Sequence, residues 1–128
     1  MRSITITGNI GNEPEIRENK NSKEKFFTFS LAEDNSYIDK STGKVVESVE
    51  WFQCVLNYDR YKNVVKFLKK GTRASIIGYP TIHTYTHKET KKLRAVFRVS
   101  VNQLDFFNAK EKIITVNQDG EIIEQKSK

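Results

Sequence analysis

Residues 49–58, VEWFQCVLNY, come closest to a recognisable chemistry. Read as a β-strand, their side chains alternate between two faces, with Phe52, Cys54 and Leu56 on one and Trp51, Gln53, Val55 and Asn57 on the other. The first set reads as core. The second places the chain's only tryptophan beside two amides on a wet face, where an indole offers a flat surface for another ring to stack on. Packing beneath a hairpin or against another subunit is the alternative use of such a ring. Further along, residues 80–98 hold Lys88, Lys91, Lys92, Arg94 and Arg98 against the single acid Glu89, with Tyr85 among them. Positive charge interleaved with aromatics suits a single nucleic-acid strand: rings stack on bases of any sequence, and cations follow the phosphates.

Other chemistries find no support. His83 and His87 are four residues apart but lack the Cys and carboxylate company of a zinc site. Cys54 points inward and has no basic neighbour to activate it, so it reads as a small core residue. Glu13, Glu15 and Glu18 read as an acidic turn without a catalytic partner, and no Walker-type phosphate loop occurs. The expectation is a binding protein with no catalytic residue, metal or cofactor.

At 128 residues the chain fits one domain. With 30% charged and 11% aromatic residues it has too much apolar material for a disordered chain, and no stretch approaches a membrane span. The first residues, MRSITITGNIG, do not read as a signal peptide, and one cysteine forms no internal disulfide, so a cytoplasmic setting is expected. Residues 109–128 are neutral, and the net charge of +6 therefore lies in residues 1–108. A basic globular domain commonly meets a polyanion.

The elements that must position these residues follow from periodicity. Ile4, Ile6 and Ile10 alternate with polar residues as a first strand, and Phe27, Phe29 and Leu31 as a second that runs into a long loop around Gly43. The third strand is the segment already described, beginning near Val46. Tyr61, Val64, Val65 and Leu68 then fall at i, i+3, i+4 and i+7, predicting one helix that Asp59 can cap and Gly71 can end. Residues 73–77 and 93–101 alternate as fourth and fifth strands, joined by a projecting hairpin with its tip near Glu89. The tail, residues 109–128, suggests a short extension with a hairpin turning at Asp119 and Gly120. Five strands with a helix between the third and fourth predict an all-β fold, the OB-fold Greek-key barrel, over residues 1–108.

GNIGNEPEIR, FSLAEDNSYIDKSTG and VEWFQCVLNYDRYKNVVKFLKKGTRASIIGYP, in this order, resemble the bacterial-type single-stranded DNA-binding proteins over residues 3–106. The resemblance implies an OB-fold that assembles as a homotetramer and wraps single-stranded DNA, protecting it in replication, recombination and repair near the nucleoid. It places the family's stacking aromatics on Tyr37, Trp51 and Tyr85, and basic positions on Lys40 and Lys70. A fourth aromatic position holds Asn57, and basic positions of the family hold Gln53, Thr81 and His83. Phosphate contacts are expected from Lys40, Lys70, Arg73, Lys88, Lys91, Lys92, Arg94 and Arg98. The edge of the first strand, Ile4 to Ile10, is the expected pairing surface between subunits. The end, EIIEQKSK, lacks the family's acidic tip, so recruitment of replication proteins through it is not expected. A dimeric primosomal-type paralogue and a protein-interaction module with weakened DNA binding are the alternatives.

Overall fold

Apolar residues at alternate positions commit most of the chain to strands whose one face is buried. A computed structural model describes residues 1–107, 113–116 and 119–124. In chain order the elements are β1 Ile4–Ile10, β2 Glu15–Glu18, β3 Lys25–Asp34, β4 Tyr37–Ile38, β5 Val45–Val46, β6 Val49–Asn57, α1 Tyr58–Tyr61, a 3-10 turn Val65–Phe67, β7 Arg73–Thr86, β8 Leu93–Phe107, β9 Ile113–Val116 and β10 Ile122–Glu124. β1 pairs antiparallel with β3 and β7, β3 with β6, and β7 with β8, while β6 and β8 run parallel. The ring β1–β3–β6–β8–β7 is therefore closed. It is the expected five-stranded OB barrel, with its helix between the third and fourth barrel strands.

Closure needs a corner. Opposite Ile77 and Gly78 of β7, strand β8 carries one extra residue, Asn102, and the pairing register shifts there. A Cβ on Gly78 would run into the Ser100 carbonyl and the Val99 side chain, so only glycine allows the two backbones to approach this closely. The extra residue also reverses the parity of β8: Val99 and Val101 point into the core before it, Leu104 and Phe106 after it. With Ile6, Phe29, Leu31, Leu56 and Ile76 they form one continuous apolar interior.

Several expectations are corrected. The predicted helix is a single α-turn followed by the 3-10 turn. Its apolar stripe is nonetheless buried at Tyr61, Val64 and Leu68, so the segment plugs the barrel end without regular helix. The adjacent β-branched Val64 and Val65 disfavour helix in so short a run. Its cap is Asn57, not Asp59: the last residue of β6 is extended, and its Oδ1 accepts from the Arg60 amide at 3.0 Å. Gly71 does end the segment, at φ +90°. Glu15–Glu18 is a strand rather than an acidic turn, drawn out along the edge of β3 with only Ile16 apolar and that residue exposed. Val45 and Val46 belong to a small ribbon with Ile38 and Tyr37, and β6 begins at Val49.

Strand β1 is not a bare edge. It pairs with β7 along its length, and with β3 at Asn9 and Ile10, leaving the β3 side of Ile4 to Thr7 open among the described pairings. Its Ile6 and Ile10 face the core. The tail hairpin is present: β9 extends the sheet beside β8, Ile114 and Val116 join the core, and β10 pairs back on β9. Gly120, at φ +82°, turns the chain so close to the Arg60 carbonyl that a Cβ would not fit. The boundary expected at residue 108 lies outside the described residues.

Asn57→Ala should cost about 1 kcal/mol in urea unfolding through loss of the cap, whereas Asp59→Ala should change stability by less than about 0.5 kcal/mol. Burial pushes the Cys54 thiol up to about 12. The folded protein should therefore resist a thiol reagent at pH 8 and react at once in denaturant; reaction as fast as a free thiol's without denaturant would contradict the buried assignment.

Candidate nucleic-acid interface

Residues directly opposite one another in a sheet share a face, so the pairing registers define the outer wall of the barrel. One row runs Arg73, Asn9, Ala32, Trp51 across β7, β1, β3 and β6. The next runs Ser30, Gln53, Arg98, Thr81 across β3, β6, β8 and β7. Beyond the barrel, β7 and β8 continue together as a hairpin, with His83 opposite Val96 and Tyr85 opposite Arg94 on this same face.

Where these rows meet the hairpin lies an open cleft of about 330 Å³, lined by Ser30, Trp51, Phe52, Gln53, His83, Tyr85, Val96 and Arg98. Trp51 is 57% exposed and Tyr85 46% exposed, unusual for rings of this size unless something covers them. The indole rests on Gly11, where a Cβ would overlap the ring carbons Cζ3 and Cη2. A glycine thus provides a flat seat for the ring. Arg98 Nε donates to Gln53 Oε1 at 3.0 Å, so Gln53 holds a cation supplied by the neighbouring strand. Among the described residues no carboxylate lines the cleft.

The remaining expected residues do not line the cleft. At the hairpin tip, the amides of Glu89 and Thr90 donate to His87 Nδ1 at 3.3 and 3.4 Å, and Lys91 adopts φ +57°, fixing a turn that displays Lys88, Lys91 and Lys92. Arg73 is exposed at the far end of the Trp51 row, about 14 Å away at the usual strand spacing. Lys70 precedes it in the turn whose Gly71 amide donates to the Ile10 carbonyl. Tyr37, 58% exposed, and Lys40 sit on the β4–β5 ribbon rather than in the cleft. That ribbon's turn is tied by Asp39, whose carboxylate accepts from the Ser41 hydroxyl at 2.6 Å and amide at 2.8 Å, bonds that hold its pKa below the ordinary value. Asn57 is consumed as a cap, and the next residue, Tyr58, stacks on Phe27 with ring centroids 5.2 Å apart, so neither adds a ring to the cleft. Ser30 and Val96 are lining residues that sequence reasoning missed. Val96 shares strand parity with Arg94 and Arg98 and could have been found by it, whereas Ser30 requires the β3–β6 register.

The profile of the Single-strand binding protein family matches residues 1–107. The chain belongs to this family. A curated member, Single-stranded DNA-binding protein 1 of Xylella fastidiosa, is 30% identical over 92 residues, covering 72% of this chain and 67% of its own length. Among solved structures, a Plasmodium falciparum single-strand binding protein in complex with single-stranded DNA superposes with a TM-score of 0.64 at 24% identity, covering 84% of this chain and 96% of that one. The small single-stranded DNA-binding protein of Streptomyces coelicolor superposes with a TM-score of 0.67 at 18% identity, covering 85% and 96%. These likenesses confirm the barrel. Among the described residues no helix is long and apolar enough to cross a membrane, and no three His, Cys, Asp or Glu side chains converge to hold a metal ion.

Gly11→Ala should displace the Trp51 ring from its seat and shift its fluorescence emission to the red, with little change in thermal stability. Unchanged emission would mean that the indole does not depend on Gly11.

Proposed function

We propose that this member of the single-strand binding protein family coats single-stranded DNA without sequence preference, stacking bases on Trp51, Tyr85 and Tyr37. Phosphates are met by Arg98 and Arg94 beside the cleft, by Lys88, Lys91 and Lys92 at the hairpin tip, by Lys70 and Arg73 across the barrel wall, and by Lys40 on the ribbon. The observation that carries this reading is the exposed Trp51 indole on Gly11, in a cleft shared with Tyr85 and Arg98 and free of carboxylates. Stacking accepts any base because every base has a π-face, and the cations follow the backbone. Nothing in such a site performs catalysis. The protein acts by binding, protecting single strands and removing their hairpins during replication, recombination and repair in the cytoplasm at the nucleoid.

It does so as a homo-oligomer, a tetramer in the family's usual form. The open β3 side of Ile4 to Thr7 supports this, since four residues of unpaired strand edge can pair with the same edge of a second copy.

Intrinsic fluorescence tests the reading directly because Trp51 is the only tryptophan. Titration with oligo-dT should quench it, saturating at a defined nucleotide ratio. Trp51→Ala should weaken binding by one to two orders of magnitude, as loss of about 1 to 3 kcal/mol of stacking implies. The logarithm of the binding constant should fall linearly with that of salt concentration, by about 0.7 for each phosphate neutralised. Unchanged affinity on Trp51→Ala would remove this ring from the site, and salt-insensitive weak binding would favour a barrel that serves proteins.

A further inference from the structure

Gln53 follows Trp51 by two residues on β6, on the same face and about 7 Å along the strand, and both line the cleft. The pairing registers hold it between Ser30 of β3 and Arg98 of β8. Its Oε1 accepts from Arg98 Nε at 3.0 Å. A guanidinium carries donors only, so this contact decides which way round the amide lies: the oxygen faces Arg98 and the NH2 group faces away from it. Among the described interactions those two N–H groups donate to no protein atom. The amide beside Trp51 therefore offers the cleft donors, with its acceptor turned to the arginine.

A base stacked on the indole turns an edge toward this amide. Guanine carries a carbonyl there at O6 and thymine at O4, and either accepts from the Gln53 N–H groups; adenine carries an amino group in the same place, donor against donor. Stacking by itself does not see this difference, because every base has a π-face. The other polar lining groups, the Ser30 and Tyr85 hydroxyls and the His83 ring, can each donate or accept and so impose no sign of their own. We propose that Gln53, oriented by Arg98, reads the edge of the base stacked on Trp51 and favours a carbonyl-bearing base over adenine.

The inference rests on the reading of the cleft as the single-strand site, and adds to it a bias among bases that stacking leaves indifferent. Arg98 is the positioning residue in this arrangement: its Nε fixes the amide, and its terminal nitrogens stay free for the backbone. One net hydrogen bond corresponds to about threefold to tenfold in affinity, so the bias is graded and every sequence still binds. Hypoxanthine isolates the effect, because it matches adenine in ring size and carries a carbonyl where adenine carries the amino group.

The test compares labelled deoxyinosine and deoxyadenosine oligomers of about 12 nucleotides, within the span of one OB barrel, by anisotropy at constant pH in a lithium salt, for wild type, Gln53→Leu and Gln53→Glu. The readout is the ratio of the two affinities; taken between wild type and variant, that ratio cancels any structure of the free strands, which is the same for each protein. Wild type should favour deoxyinosine by about threefold to tenfold. Gln53→Leu should bring the ratio close to one. Gln53→Glu keeps an acceptor for Arg98 but has no N–H, so it too should lose the preference, whatever its added charge does to both affinities alike. A wild-type ratio of one would overturn the proposal, as would a preference that survives in both variants or persists in Gln53→Glu alone, which would reduce Gln53 to a support for Arg98. Trp51 fluorescence left unquenched by both oligomers would instead overturn the reading of the cleft itself, and this proposal with it.

Discussion

The strict two-residue alternation of β6, locked between β3 and β8, is the constraint on which the molecule depends. Phe52, Cys54 and Leu56 are between 0 and 7% exposed, so the strand cannot slip by one residue without driving Trp51, Gln53 and Val55 into the core. That cost fixes the register on both sides. It sets Ala32 beside Trp51 and Ser30 beside Gln53, and it brings Arg98 of the parallel neighbour within hydrogen-bonding reach of Gln53. The face proposed to bind is thus positioned by the hydrophobic effect acting on its reverse side.

The long β7–β8 hairpin is divided between the barrel and a projecting arm. Its inner half is part of the closed ring and carries buried Ala74, Ile76, Val99 and Val101. Its outer half projects past the barrel, where Ile82, Tyr85 and Leu93 are exposed and backbone pairing continues without a core beneath it. The corner within the inner half is the glycine approach at Gly78 with its extra residue on β8. Because bulges re-aim strands, this local feature both closes the barrel and directs His83, Tyr85 and the tip lysines over the face that holds Trp51.

Charge and aromatic surface are arranged here with economy of rings. The cleft exposes one indole and one phenol, and the end of β6 presents no further ring to it, because Asn57 caps the barrel plug and Tyr58 packs on Phe27. Cations are distributed instead along cross-strand rows and at the hairpin tip. On the proposed reading such an arrangement favours electrostatic tracking of the backbone over strong grip on individual bases, in keeping with the net charge of +6. The tail hairpin adds strands to the outer side of β8 and fits its Gly120 turn against Arg60, which ties the chain's last described strands to the barrel plug.

Much of this was legible in the sequence, because period-two alternation is a local consequence of burying one face. It marked the five barrel strands, the inward parity of Cys54, the outward parity of Trp51, and the projecting hairpin with its lysines. The stripe from Tyr61 to Leu68 was read correctly as buried and wrongly as one continuous helix, since a 3.6-residue period describes which side faces the core and not which hydrogen bonds form. Strand β2 left no pattern, because its hydrogen bonds come from the edge of β3 and its side chains are exposed. Pairing register, the parity reversal at Asn102, the glycine seat beneath Trp51 and the grouping of Ser30, His83, Tyr85 and Arg98 around one cleft were decided only by the tertiary structure. Each of these joins residues far apart in sequence, and side-chain periodicity within one strand carries no information about which residue of another strand lies opposite.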